Sequence, residues 1–429
     1  MKKVILTTIL TLATLWGASA EEKSEKIKTG WNLGPLPAVS YNSDLGFQYG
    51  VLCDFFYFGD GSTYPTYLHK FNVELSHYTK GETIAHMFYD SKYLFPGLRL
   101  TAAVSYLDSA MTPFYGFNGY ASPLDLDLTK DSSWYYMDRT MLRAIADLQG
   151  SISDRLTWMA GMTFWNVTTD NVQLSKYKDA PSLYQAYRTA GLISDDEVAG
   201  THLELKAGLV YDTRDMEAAP TRGYCAEIVG SFSPDLFGEG ETYGRIMATW
   251  RQFFPVIGDN LVLGYRLNYQ QTFGNTPFYL QQTITPLYLR QIKNEGLGGK
   301  NSIRGVFQGR ILADGYAWAN FEARVKIARF TFINQNWYVA LNPFLDAGVI
   351  TKPRAFDKQA SDLSSLITAI NPELNKIYSG EGYGGIHASA GLGLKLVMNH
   401  NFIISVEYGK PFDKRDGKGG LNIGTNYIF

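Results

Sequence analysis

The stretch Thr201-His202-Leu203-Glu204-Leu205-Lys206-Ala207-Gly208-Leu209-Val210-Tyr211-Asp212 decides the fold. Successive side chains of a strand point to opposite faces. Leu203, Leu205, Ala207, Leu209 and Tyr211 therefore share one face, and His202, Glu204, Lys206, Gly208 and Asp212 share the other. A slip of one residue would move every charge onto the apolar face, so the charges fix the phase. Ala319, Phe321, Ala323, Val325 and Ile327 alternate in the same way with Asn320, Glu322, Arg324 and Lys326. Near the end of the chain, Leu421, Ile423, Tyr427 and Phe429 are expected outward, with Asn422 and Gly424 inward.

Sixteen such segments can be placed along the chain. They cover roughly 35–43, 46–58, 66–79, 82–94, 98–109, 134–152, 155–169, 200–214, 222–233, 241–255, 260–273, 313–331, 336–351, 385–398, 401–411 and 420–429. The long connections follow the fifth, seventh, eleventh and thirteenth segments. The short ones follow the fourth, sixth, tenth, twelfth and fourteenth. All long loops thus fall on one side, which is the asymmetry of an outer-membrane barrel with extracellular loops and periplasmic turns.

Composition agrees with this reading. The 429 residues include 29 Tyr, 25 Phe and 42 Gly but only 2 Cys, and the formal net charge is −2. Cys53 and Cys225 suggest no disulfide framework, and the charge leaves no basic patch for nucleic acid. Residues 1–20 read as a secretory signal peptide, with Lys2 and Lys3, an apolar core from Val4 to Trp16, and a small-residue site at Ala18-Ser19-Ala20. No later stretch reaches the roughly 18 apolar residues of a spanning helix. The expected fold class is all-β: a sixteen-stranded antiparallel transmembrane β-barrel. Residues 21–34 form a short periplasmic segment and residues 35–429 the barrel. Ala355 to Asn375 is the place for a short extracellular helix.

The long connection between the eleventh and twelfth segments contains Gly298-Gly299-Lys300-Asn301-Ser302-Ile303-Arg304-Gly305-Val306-Phe307-Gln308-Gly309-Arg310. Glycines allow tight turns and close backbone approach. An arginine between glycines and apolar residues is placed for a fixed partner, because a buried guanidinium must be paired. The first strand is expected to open with Pro35 and Pro37, and proline cannot donate to a ladder. Gly424 weakens the last strand, and Tyr427 and Phe429 close it with aromatics.

These residues resemble the BamA/TamA-type superfamily of outer-membrane protein assembly and translocation, the bacterial surface antigen family. The resemblance covers at least Thr201 to Phe429. It is carried by Tyr211-Asp212-Thr213-Arg214-Asp215 with Pro220-Thr221-Arg222-Gly223-Tyr224, by Gly298 to Val306, by Phe344-Leu345-Asp346-Ala347-Gly348, and by Val406-Glu407-Tyr408-Gly409-Lys410-Pro411 to Phe429. It implies that the Arg-Gly loop folds into the lumen against the twelfth and thirteenth strands. Arg304 would there meet one or both of Glu322 and Asp346, which have inward phase, with Gly305 passing close to the wall and Gly298, Gly299, Ser302 and Ile303 shaping the loop. The family usually has Val-Arg-Gly-Phe or Tyr where this chain has Ile-Arg-Gly-Val. Members usually carry POTRA domains before the barrel, and the roughly fifteen residues after Ala20 are too few for an independent fold.

The resemblance further implies a seam between first and last strands that opens sideways to client proteins or lipids. A passive or substrate-specific channel is the alternative. Gly-x-Ser-x-Gly and His-Glu-x-x-His are absent, and His69, His77, His86, His202, His387 and His400 form no ligand pattern. No enzyme, cofactor or metal is expected. Inward Arg143, Asp147, Glu204, Lys206, Arg245 and Arg251 read as paired charges filling a barrel interior. The expected partners are outer-membrane lipid and either a periplasmic partner or clients that are outer-membrane proteins, lipoproteins or lipids.

Overall fold

The computed structural model describes residues 27–42, 45–122, 124–130, 132–177, 179–238, 240–281, 296–333, 335–355, 359–370, 384–400, 402–425 and 427–429. The expected leader, residues 1–20, lies outside the described residues. The chain forms seventeen strands: β1 (Trp31–Pro37), β2 (Ser40–Asn42), β3 (Gly46–Tyr57), β4 (His69–Tyr78), β5 (Glu82–Phe95), β6 (Leu98–Pro113), β7 (Tyr136–Ser151), β8 (Leu156–Asp170), β9 (Ala199–Asp212), β10 (Gly223–Ser233), β11 (Tyr243–Ile257), β12 (Leu261–Gly274), β13 (Gly315–Phe332), β14 (Gln335–Lys352), β15 (His387–Met398), β16 (Phe402–Pro411) and β17 (Gly420–Thr425).

Among the described residues the pairings are antiparallel and sequential from β2 to β17, and the ring returns through one register pair, Asn42↔Asn422. β1 and β2 both pair with β3, at Trp31↔Tyr57 to Pro37↔Val51 and at Ser40↔Gln48 to Asn42↔Gly46. They are one stave interrupted after Pro37, so seventeen strands make sixteen staves. The first stave starts at Trp31, and the expected opening at Pro35 falls inside it. The Trp31 ring packs on Tyr57, with centroids 4.9 Å apart, and this contact supports the earlier start. Pro35 lies inside β1 and Pro37 ends it, tolerable because β1 pairs on one side only among the described residues.

The alternation holds through the wall. On β9, His202, Glu204 and Lys206 are buried while Leu205 and Leu209 are exposed; on β13, Glu322 and Arg324 are buried and Phe321 is exposed. Inward charges are paired: Lys206 with Asp147 at 2.8 Å, Arg245 with Glu204 at 2.9 Å and Arg251 with Glu227 at 3.2 Å. Arg143 bonds Ser105 and stacks over Trp165.

The expected outward phase of Tyr427 and Phe429 is not what the structure has. β17 ends at Thr425, and Tyr427, Ile428 and Phe429 are buried in the lumen. Ile428 and Phe429 pack on Phe253 and Val262, and Tyr427 packs on Tyr338, Ala340, Val397 and Ile403. Beyond the last ladder bond no pleat dictates phase, and the rings gain buried cations, as described below. Gly424 stays in the ladder opposite Ser405.

Both mouths are covered. On the side of the long loops, an aromatic cluster joins Phe114, Phe117, Tyr184, Tyr187 and Phe278 with Ile367 of the helix Gln359–Ile370. That helix lies in the segment expected to be helical. Phe114 and Tyr187 meet edge to face at 5.3 Å. On the other side, the β9–β10 turn folds across the opening. Asp215 holds it by accepting from the amides of Met216 and Thr221. Glu217 then reaches Arg99 on β6 at 3.0 Å, while Ala219 packs against Tyr338 on β14.

Candidate functional site: the inward loop and its wall

Residues 296–311 form a compact loop inside the barrel, closed by the bridge Leu297↔Ile311. Gly298 and Gly299 have φ of 113° and 85°, which favour glycine. Ser302 Oγ accepts from the Gly298 amide, and Ser302's main-chain oxygen accepts from Asn320 Nδ2. Ile303 is buried with Leu297, Val306, Ile311, Tyr316 and Trp318. Apolar residues thus seat one side of the loop, and Arg304 points from the other.

Arg304 is fully buried. Its Nε and Nη2 donate to the two Asp346 oxygens, each at 2.8 Å, and its own amide donates to Asp346 Oδ2 at 3.0 Å. Nη1 donates to Glu322 Oε1 at 2.6 Å and to Glu407 Oε1 at 2.8 Å. The fork of a guanidinium suits this arrangement, and an ammonium could not reproduce it. Cζ lies 3.6 Å from the Phe344 ring centroid, so the cation also rests on an aromatic face.

The wall explains the rest of the motif on β14. Phe344, Asp346 and Gly348 share the inward face; Phe344 stacks on Arg304 and Asp346 binds it. A Cβ on Gly348 would stand 2.7 Å from Ile303 Cδ1, so the glycine makes room for the loop. Gly305 has φ of 91°, and its Cβ would stand 2.7 Å from the Lys410 amide nitrogen on β16. The structure thus brings Arg304, Gly305, Glu322, Asp346, Gly298, Gly299, Ser302 and Ile303 together. Pro35 and Pro37 lie in β1 and take no part in this cluster.

Several participants were not read from the sequence as such. Glu407 stands in a quoted motif and has inward phase, but nothing local tells which loop it faces. Lys395 Nζ bonds Glu407 Oε1 at 2.9 Å, and Arg324 Nε bonds Glu322 Oε2 at 3.2 Å. Three carboxylates (Glu322, Asp346, Glu407) therefore meet three cations (Arg304, Arg324, Lys395), and the buried cluster is neutral. Arg310, also fully buried, donates to three main-chain oxygens: Gly119 at 3.0 Å, Ser122 at 2.8 Å and Arg415 at 2.8 Å. With Phe307 stacked on Tyr115 at 5.9 Å, it fastens the loop to the cover above.

A lumen occupied by an ion-paired loop, in a sixteen-stave barrel with all long loops on one side, defines a class of outer-membrane barrel. The sequence matches the Omp85 superfamily domain over residues 69–429, and the chain belongs to that superfamily. It is an integral outer-membrane barrel of the insertion and translocation type and not an enzyme. Among solved structures, it is similar to BamA from Haemophilus ducreyi lacking POTRA domains 1-3, with 16% identity and a TM-score of 0.53 over 93% of this chain and 70% of that one. It is also similar to CdiB from Escherichia coli, with 11% identity and a TM-score of 0.53 over 94% of this chain and 64% of that one. The chain thus spans less than two thirds of the CdiB chain. At these identities the likeness concerns the fold alone. No curated protein matches the chain in sequence.

Proposed function

We propose that this barrel acts on membrane-embedded clients, proteins or lipids, at the seam between β2 and β17, and does not conduct solutes along its lumen. The observation that carries this reading is the seam itself. Among the described residues one register pair joins β2 to β17, whereas β16 and β17 share the register from Ile404↔Thr425 to Gly409↔Gly420. β17 ends at Thr425 and Tyr427–Phe429 lie in the lumen, and β1 pairs only with β3 among the described residues. Backbone groups without partners cost several kcal/mol each in lipid, so such an edge favours an incoming strand or a lipid headgroup. The filled lumen and its two covers oppose a solute path. A separate periplasmic partner would deliver protein clients, and export would follow removal of residues 1–20.

The test is a cysteine pair at Tyr41 and Ile423, in a barrel lacking Cys53 and Cys225, reconstituted in vesicles. Two assays are run with the pair oxidised and reduced: insertion of an unfolded small outer-membrane barrel, and transbilayer movement of a fluorescent phospholipid. Oxidation should abolish whichever activity the reduced barrel has. Equal activity in both states, or activity in neither assay, overturns the reading.

A further inference from the structure

Three buried side chains on β12 and β13 link the inward loop to the last residues of the chain: Arg266 touches both, and Glu322 on the loop side is joined to Arg324 on the tail side. Arg266 Nη2 donates to the main-chain oxygen of Asn301, in the loop, at 2.9 Å. Its Nη1 donates to the main-chain oxygen of Ile428 at 2.9 Å. Asn320 Oδ1 accepts the remaining bonds, from Nε at 2.9 Å and Nη2 at 2.8 Å. Glu322 spans two arginines, with Oε1 on Arg304 at 2.6 Å and Oε2 on Arg324 at 3.2 Å. Arg324 Nη2 donates to the main-chain oxygen of Phe429 at 2.5 Å, and its Cζ lies 4.0 Å from the Tyr427 ring centroid. Phe429 itself lies between the guanidinium groups, 5.5 Å from Arg266 and 5.2 Å from Arg324.

A buried guanidinium carries five donors that all need acceptors. Arg266 takes acceptors from the loop and from the tail at once, so withdrawal of either strands part of it. Withdrawal of the loop removes Arg304 from Glu322, which can then turn fully toward Arg324 and compete with Phe429 for its donors. Withdrawal of the tail leaves Arg324 and Arg266 short of acceptors in a confined space. Each segment therefore stabilises the seat of the other.

We propose that Arg266, Glu322 and Arg324 are positioning residues that couple the inward loop to the tail Tyr427–Phe429, so that the two are held or released together. The consequence for client handling rests on the seam reading, because the tail continues β17; the coupling itself does not.

The test uses the full chain in native outer membranes, without Cys53 and Cys225 and with Ile428→Cys, read by maleimide labelling from the periplasmic side. Loop release is read in parallel as protease cleavage within residues 298–310. Arg324→Ala should raise labelling at least tenfold. Arg304→Ala, which touches no tail residue, should raise both labelling and cleavage, and Glu322→Gln should do so more mildly. The double variant Arg304→Ala/Arg324→Ala should label more slowly than the product of the single effects requires. If Arg304→Ala opens the loop while position 428 labels at the parental rate, the coupling is refuted. Should Arg304→Ala fail to give the heat-resistant folded form, Glu322→Gln decides alone, since it keeps the shape of the site. A locked seam that changes neither assay, beside coupled labelling and cleavage, rejects the seam reading and leaves the coupling standing.

Discussion

Gly305 and Gly409 meet backbone to backbone. A Cβ on Gly409 would stand 2.6 Å from the carbonyl carbon of Arg304, and the Gly305 amide nitrogen would be 2.8 Å away. The loop can lie on the β16 wall only because both positions lack side chains. Gly305→Ala faces the additional strain of a left-handed backbone, for a cost of roughly 1–3 kcal/mol. Gly305→Ala and Gly409→Ala should both lower the temperature at which the barrel loses its heat-resistant band. Gly230→Ala on β10 should not, because a Cβ there meets nothing within 4 Å. Equal thermal profiles for all three variants would mean that the close crossing is not needed.

Arg304→Ala leaves the buried cluster with three carboxylates and two cations. Breaking a buried pair from one side typically costs about 3–5 kcal/mol. Arg304→Lys keeps the charge but not the paired hydrogen bonds to Asp346, so its loss should be intermediate. Removing Asp346 as well should cost less than the two single losses added together, since the second change removes a carboxylate already stranded. Thermal unfolding of the four proteins checks this, and strict additivity would count against a shared interaction.

Asp90 and Glu217 both hold Arg99, but unequally. Asp90 is buried and takes Nε and Nη2, each at 2.7 Å, while Glu217 sits on the turn that crosses the mouth and is partly exposed. Glu217→Gln should cost below about 1 kcal/mol, as partly exposed pairs do. Asp90→Asn leaves a buried guanidinium short of its carboxylate and should cost several times as much. Denaturant titration of the two variants would show the order; the reverse order would mean that the turn, and not the wall, seats Arg99.

In planar bilayers the parent barrel should show little conductance, because the loop fills the lumen and both mouths are covered. Deleting residues 298–310 should give larger and noisier openings. Large steady openings in the parent would favour the channel reading and reject the proposal made for the seam.

Much of this was legible in the chain. Strict alternation, as in His202 to Asp212 or Ala319 to Ile327, is a local property of the pleat, and one inward charge fixes it for a whole strand. The phase of Glu322 and Asp346 follows from that alone. Their meeting with Arg304 needed the family resemblance, because phase gives a face but not a distance across the lumen. Glu407 shows the limit. Its inward phase was readable, but β15 separates its strand from that of Asp346, and only the loop that lays Arg304 against this wall brings the two carboxylates onto one guanidinium.

The two-residue alternation of the pleat was enough to count sixteen staves and to give the inward face of the ladder-bound strands, and the lengths of the connections put the long loops on one side. Where the last residues of the chain go was set by tertiary contacts alone. Tyr427 and Phe429 carry the outward phase of β17, yet they lie inward, on Arg324 and Arg266. Past the last ladder bond the backbone is no longer held in register. Its direction is then set by whichever distant partners repay its ordering, here two buried guanidinium groups and the Phe253–Val262 patch, and these lie far away in the sequence.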